Sequence, residues 1–366
     1  MIPVLRPSCD QNTLEELNDV IKSGWWGQGP KTAELEEKFA LYTGFKHAVA
    51  LSSATAALDL CFKVYGLTEG ECITSALTFV ADASEPERNG LEVVFADIDE
   101  KTLCLDIDTL VISDRTKAII VVHSHGRVAD VGAIREKFNG LIIEDCAHCG
   151  GMTVEDGIGL GDIQVWSFQA VKTLPAGDGG MITTNNPEIV RKIKNMTWLG
   201  VEKSTYQRNQ GNKYSWDYDI TQTGTKSYMN DINAVLALGQ LRRVNKILDK
   251  RHAIQERYNK AFQDLPVTLP KWSKTCQYYT LRVKYRDKVS NYLAENGITT
   301  SVHFKPLSEM TYWKKAVKRP IPVTDRVWKE LLSLPCHDAL TEEEQGFVID
   351  KFREAVTGMP VPPRGW

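Results

Sequence analysis

Seven short apolar runs between about residues 45 and 185 constrain this chain more than any other feature. They are His47–Leu51, Glu71–Thr74, Glu92–Ala96, Ala118–Val122, Leu141–Asp145, Gln164–Phe168 and Gly180–Thr184. Their apolar residues run continuously instead of alternating with polar ones, which predicts strands covered on both faces. Between them, Ala54–Val64, Asp130–Phe138 and Pro187–Met196 carry helical spacing. Strand and helix in alternation predict an α/β fold with a mostly parallel central sheet flanked by helices.

The rhythm then changes. Residues 200–224 are polar, with Tyr206–Trp216 crowded by Gln, Asn, Lys, Tyr and Trp, and a segment of this kind is expected to be functional or mobile. Met229–Tyr258 carries Ile232, Val235, Leu236, Leu238, Leu241, Val244 and Ile247 at helical spacing, which predicts one long helix joining two domains. The remainder has strand candidates Tyr278–Val283 and Thr299–His303 and helices near Arg286–Asn296 and Thr341–Val356, the pattern of a small α+β domain. The expected division is a large domain at 1–245, including the N-terminal segment, and a small one at 246–366. Met359–Pro363 is expected to form a loose or docked tail.

A chain of 366 residues can bury a sizeable core without disulfides, and its eight cysteines lie mostly inside apolar runs, as small core hydrophobes of a reducing compartment do. The 44 basic and 47 acidic residues leave a net charge of -3, with no run of five like charges, so nucleic acid and membrane surfaces are poor partner candidates. No stretch approaches a membrane-spanning length and Met1–Pro7 does not read as a signal peptide, so a cytoplasmic protein is expected.

Three segments place polar or small residues where apolar strands end, the position at which α/β sheets hold their ligands. Ser52-Ser53-Ala54-Thr55 leaves a strand and opens a helix, so it is either an ordinary N-cap or an anion site. Asp145 ends a buried strand and needs a cation, either a structural ion-pair partner or a protonated ring nitrogen. Lys172 follows another buried strand and precedes the glycine-rich turn Gly177–Gly180. Its amine is either solvated or enclosed as a nucleophile towards an aldehyde. Together these supply what pyridoxal phosphate needs: an anion cradle, a pyridinium partner and an amine.

The chain resembles the fold-type I sugar-nucleotide aminotransferases of the DegT/DnrJ/StrS type. The landmarks run from Ser23-Gly24-Trp25-Trp26-Gly27-Gln28-Gly29-Pro30 through Leu77-Thr78-Phe79-Val80-Ala81, Phe95–Asp99, His123–Asp130 and Met229–Ala234 to Ser333-Leu334-Pro335. The resemblance implies that Lys172 forms the internal aldimine with pyridoxal 5'-phosphate and shuttles the substrate proton, while Asp145 keeps the pyridine nitrogen protonated. It implies that His148 stands near the phenolic oxygen, Phe79 stacks on the ring, and Ala54, Thr55 and Ser167 bind the phosphate. Lys226 would reach the phosphate of a neighbouring subunit, implying a homodimer with shared active sites. Trp26, His303 and Phe304 are the expected substrate contacts.

Two departures bear on the substrate. Ser308 stands where the pattern after Val302-His303-Phe304-Lys305-Pro306-Leu307 commonly has a second His, and a His-Tyr-Gly pattern becomes His123-Ser124-His125-Gly126. The implied reaction transfers an amino group from L-glutamate to a nucleotide-linked keto sugar, foremost a 4-keto-6-deoxyhexose, alternating between pyridoxal and pyridoxamine phosphate. A 3-keto sugar or a cyclitol is the alternative substrate, and a sugar-binding pseudoenzyme is the non-enzyme alternative, disfavoured by the retained Lys172. Zinc at Cys146-Ala147-His148-Cys149 lacks a second ligand pair, so no metal is expected. Gly157-Ile158-Gly159-Leu160-Gly161 lacks the strand and full fingerprint of a dinucleotide site.

Overall fold

Helices Gln11–Ser23 (α1) and Pro30–Thr43 (α2) precede the first strand, His47–Leu51 (β1). The order continues Ala54–Val64 (α3), Glu71–Ser75 (β2), Ala81–Arg88 (α4), Glu92–Ala96 (β3), Thr116–Val122 (β4), Val131–Lys137 (α5), Leu141–Asp145 (β5), Ile163–Ser167 (β6), Gly180–Thr184 (β7) and Pro187–Met196 (α6). A computed structural model of the chain describes residues 1–201, Tyr206, Trp216, 218–220 and 222–358. Most of the polar 200–224 segment and the Met359–Pro363 tail therefore lie outside the described residues.

All seven expected strands form one sheet, in the order β1-β7-β6-β5-β4-β2-β3. Only β7 runs antiparallel to its neighbours. The other pairings are parallel. The exception has a local cause, since β6 returns to β7 through a helix-free loop, too tight a connection for a parallel crossover. Strands β5 and β6 are buried along their whole length and β4 everywhere but at Lys117, as their continuous apolar runs require.

Helix α2 shows how distant residues complete a local element. Its N-cap is Gly29, which has no side chain to satisfy the free N–H groups of the first turn. Asp231, buried and 200 residues away, supplies the acceptors instead. Its Oδ1 accepts from Gly29 N and Thr32 N at 2.9 Å and from Thr32 Oγ1 at 2.7 Å, and its Oδ2 accepts from Lys31 N at 3.1 Å.

Two expectations need correction. Met229–Tyr258 is not one helix but two, Asp231–Arg242 and Val244–Phe262, interrupted at Arg243 (φ -109, ψ 14). The Arg243 guanidinium is held by Ser8 O and Ser8 Oγ at 2.5 and 2.6 Å and by Asp338 at 3.4 Å. Apolar spacing cannot register this break, because Leu241, Val244 and Ile247 keep facing the same core on both sides of it. Thr299–His303 forms no strand; a lone bridge joins Ser301 to Ser333. The edge of the small sheet is instead taken by Leu331–Leu334 (β10), which pairs with Tyr279–Val283 (β9), with Val267–Thr268 (β8) beyond.

The N-terminal residues lie against the C-terminal part of the chain: Ile2 N donates to Gly297 O, Thr299 N to Ile2 O and Cys336 N to Val4 O. Seven cysteines are buried and Cys9 is exposed. Among the described residues, no helix is long and apolar enough to cross a membrane.

Replacing Asp231 with Ala strands three backbone donors of α2 and is expected to cost about 3 kcal/mol of stability, read by chemical denaturation. A loss below about 1 kcal/mol would show that α2 does not depend on this cap.

Candidate active site

Asp145 and Lys172 meet at the carboxyl ends of the parallel strands, where the sheet order leaves ligand sites. Asp145 is the last residue of β5 and only 7% exposed. Burial pushes its carboxyl above the usual range, opposed by Ala147 N–H, which donates to Oδ1 at 2.7 Å, by the Lys172 ammonium, and by the Asp82 carboxyl. Asp82 lies in the first turn of α4 and is 0% exposed. Burial and the Asp145 charge drive its carboxyl well above the usual range.

Lys172 follows β6 in a loop built by its own backbone and by a side chain from far along the chain. Lys172 N donates to Gln169 O and Ala170 N to Gly177 O, while Gln277 Nε2 donates to Val171 O at 2.7 Å and accepts at Oε1 from Thr173 Oγ1 at 2.8 Å. The half-buried Lys172 is close enough for its charge to act on Asp82, Asp145, His125, His148 and His303.

The three histidines form a neutral wall beside this pair. Burial and the Lys172 charge hold His303 down to about 3; burial is also the main cause of the low values at His125 and His148. Their hydrogen bonds then assign the tautomers. His148 Nδ1 accepts from His125 N at 3.2 Å, so the proton sits on Nε2. His125 Nδ1 faces Arg127 Nη1 at 3.5 Å, so its Nε2 donates to His303 O at 3.2 Å. His303 stacks on Tyr278 with centroids 3.6 Å apart, and His148 lies parallel to Phe304 at 6.1 Å. Gly126 permits this arrangement: it has φ +80, and a Cβ there would collide with Thr275 Oγ1.

The anion cradle lies at the start of α3. Ser53 Oγ accepts from Ala56 N at 3.1 Å, leaving the N–H groups of Ala54 and Thr55 outside the intrahelical pattern and facing out of the helix end. Strand register carries Ser167 to this place, since Leu51 pairs with Gly180 and Gly180 with Ser167. A Cβ on Gly180 would strike the Ser53 carbonyl and Ala54 N, so only glycine lets the helix end settle here. Phe79 is 55% exposed, with its ring centroid 6.3 Å from that of Phe304.

The structure thus brings Lys172, Asp145, His148, His303, Phe304 and Phe79 into one neighbourhood, with Ala54, Thr55 and Ser167 joined through the sheet. Trp26 and Lys226 form a separate patch. Trp26 lines a cavity of about 300 Å³ with Trp25, Trp198 and Tyr228, while the exposed Lys226 holds its Nζ 5.5 Å from the Trp198 ring centroid. The residues missed from sequence are Asp82, Tyr278 and Gln277. Only Asp82 carried a signal, an acidic residue directly after the Phe79 motif.

The donor set fits a phosphate-bearing pyridine aldehyde: helix N–H groups for the phosphate, a buried carboxylate for the ring nitrogen and an amine beside it. It does not fit the rival ligands. His123, Glu144 and Cys146 offer three potential metal-binding atoms, yet Glu144 is already engaged by His123 Nε2 at 2.8 Å, by Gly159 N and Gly161 N, and by Gln164 Nε2. The glycines once open to a dinucleotide reading are thereby structural donors. His148 Nδ1 is likewise committed to His125 N.

Comparison with known proteins agrees with this geometry. Residues 7–353 match the DegT/DnrJ/EryC1/StrS aminotransferase family. The chain is 33% identical to the spore coat polysaccharide biosynthesis protein SpsC of Bacillus subtilis, covering 98% of this chain and 97% of that protein. Spr1654 of Streptococcus pneumoniae in its PMP form superimposes with a TM-score of 0.89 at 29% identity, covering 98% and 100% of the two chains; its PLP form is also similar. The sugar aminotransferase CalS13 of Micromonospora echinospora gives 0.85 at 26% identity over 97% of this chain and 100% of that one. With a fold-type I sheet, a buried aspartate facing a lysine, and this match over nearly its whole length, the chain belongs to the DegT/DnrJ/EryC1/StrS family of pyridoxal-phosphate-dependent aminotransferases.

Proposed function

We propose that this aminotransferase converts a nucleotide-linked keto sugar to an amino sugar with L-glutamate as donor, using Lys172 and Asp145. The observation that carries the site assignment is the electrostatic contact of Lys172 with a buried Asp145 at the carboxyl edge of the sheet. The sugar class draws on the relatives, among them the sugar aminotransferase CalS13 and the spore coat polysaccharide biosynthesis protein SpsC.

Bound pyridoxal phosphate supplies an aldehyde that exchanges amino groups and a ring that takes up carbanion electrons. Lys172 Nζ would hold the cofactor's aldehyde carbon between turnovers and, once free, would carry a proton between the substrate carbon and that carbon. Asp145 holds the proton on the facing ring nitrogen. His148 presents Nε2–H as a donor for the phenolic oxygen, and Phe79 offers an exposed aromatic face for the ring. Ala54 N–H, Thr55 and Ser167 hold the phosphate.

Lys226 completes that cradle from a second copy of the chain in this reading, making a homodimer with shared sites. The support is that Lys226 is exposed and set apart from the other site residues, its Nζ beside the Trp198 ring. The large cofactor domain ends near residue 245, a cytoplasmic enzyme is inferred, and a 4-keto-6-deoxyhexose is the foremost substrate. Replacement of Tyr by His125 and of His by Ser308 leaves a 3-keto sugar or cyclitol as the alternative.

Three outcomes are expected. Lys172→Ala should lose the visible absorbance band of the bound cofactor and about a thousandfold of activity, measured spectrophotometrically; an unchanged band would remove Lys172 from its role. Given glutamate and a panel of dTDP-, UDP- and GDP-linked 3-keto and 4-keto sugars, the enzyme should aminate a 4-keto member, and turnover of none would overturn the substrate proposal. Lys226→Ala should weaken cofactor binding in a protein that sediments at twice the chain mass, whereas a monomeric wild-type holoenzyme would exclude a shared site.

A further inference from the structure

The proposed chemistry leaves one buried acid beside the site unused. Asp82 is 0% exposed and lies close enough to Asp145 for the two carboxyls to act on each other. Its two oxygens differ in a telling way. Oδ2 accepts from Thr78 Oγ1 at 2.5 Å, while Oδ1 is buried and meets no donor among the described residues. An ionised carboxylate would leave that oxygen unsatisfied and set a second negative charge against Asp145. A protonated carboxyl removes both faults, because Oδ1 becomes a donor and Asp145 its acceptor.

The environment decides which acid keeps the proton. Asp145 has Ala147 N–H at 2.7 Å and also feels the charge of Lys172. Asp82 has the Thr78 hydroxyl and a weaker share of the Lys172 field. A place in the first turn of α4 favours an anion, but a helix end acts less strongly than a touching carboxylate. The remaining titratable neighbours are Cys72 beside Asp82 and Cys146 beside Asp145, both kept as neutral thiols by burial.

We propose that Asp82 is a positioning residue that carries the single proton of the pair and donates from Oδ1 to Asp145, holding that carboxylate anionic and oriented towards the cofactor's pyridine nitrogen. This rests on the assignment of Asp145 as the nitrogen's partner. The arrangement resembles a carboxyl dyad sharing one proton, put to use in binding a cation and not in attacking a substrate.

The test is the pH dependence of pyridoxal phosphate binding to the full-length apoprotein, followed by tryptophan fluorescence from about pH 5 to 9, a window that brackets an elevated carboxyl. A hydrogen bond to the charged form lowers a carboxyl's pKa, so its removal raises that of Asp145 and delays deprotonation to higher pH. Asp82→Asn keeps an acceptor for Thr78 and a donor for Asp145, and it should leave the acid limb of binding where the wild type has it. Asp82→Leu, with no donor, should move that limb up by about one pH unit, with about tenfold weaker binding on the displaced limb. Asp82→Ala carries the same expectation should the leucine chain fail to fold. A limb that moves down in the Asn, Leu and Ala chains alike would mean that Asp82 is an ionised acid repelling Asp145, an Asn limb raised as far as the Leu limb would mean that donation from position 82 is not what matters, and an unmoved limb in all three would reduce Asp82 to a packing residue; each result overturns the proposal. Asp145→Ala separates the two assignments, because an intact acid limb there would refute the role of Asp145 itself, whatever the Asp82 variants do.

Discussion

A carboxylate at the end of a fully buried strand is the constraint around which the rest of this structure is arranged. Desolvation works against the charge of Asp145, and every group gathered near it opposes that cost: Ala147 N–H, the Lys172 ammonium and the Asp82 carboxyl. The neighbouring histidines obey the same field with opposite consequence. Burial and the nearby lysine leave His125, His148 and His303 neutral, so they serve as directional donors and acceptors.

The fold meets this constraint by bringing both parts of the chain to one edge of the sheet. Strands β5 and β6 deliver Asp145 and Ser167, and the loop after β6 delivers Lys172. The C-terminal part supplies Gln277, which braces that loop, Thr275, whose Oγ1 donates to His148 O at 2.7 Å, and the rings of Tyr278, His303 and Phe304. Asp231 does similar work at a distance from the chemistry, completing α2 from a helix far along the chain. The site is thus assembled from contacts between segments that neither part could make alone.

Much of this was legible in the residues, and the pattern of success and failure has a physical explanation. The seven strands were readable because burial on both faces demands continuous apolar runs, a property each strand carries by itself. Asp145 and Lys172 stood out because a charge at the end of such a run needs a reason. The break at Arg243 was invisible because the apolar stripe continues across it while a polar anchor at Ser8 interrupts the backbone. The bridge at Ser301 was mistaken for a strand because Thr299–His303 has β-forming residues but no neighbour to pair with along its length. Asp82 is not marked by its sequence position as a partner of Asp145, because the two acids lie far apart along the chain and only the fold brings the first turn of α4 towards the end of β5.

By itself the sequence determined the α/β layering, the strand ends that bear chemistry, the cofactor class through the resemblance those residues carry, and the near-neutral charge balance that makes polyanions poor partner candidates. These depend on periodicity and on residue type at a given place, both local. Only the tertiary structure decided where the proton of His148 resides, on Nε2, and it supplies the burial and charges from which we place the shared proton on Asp82. It also decided which distant side chains, Asp231 and Gln277, complete elements that cannot complete themselves. Proton placement follows from burial and from the charges within a few ångströms, and those neighbours are assembled from segments that lie tens to hundreds of residues apart.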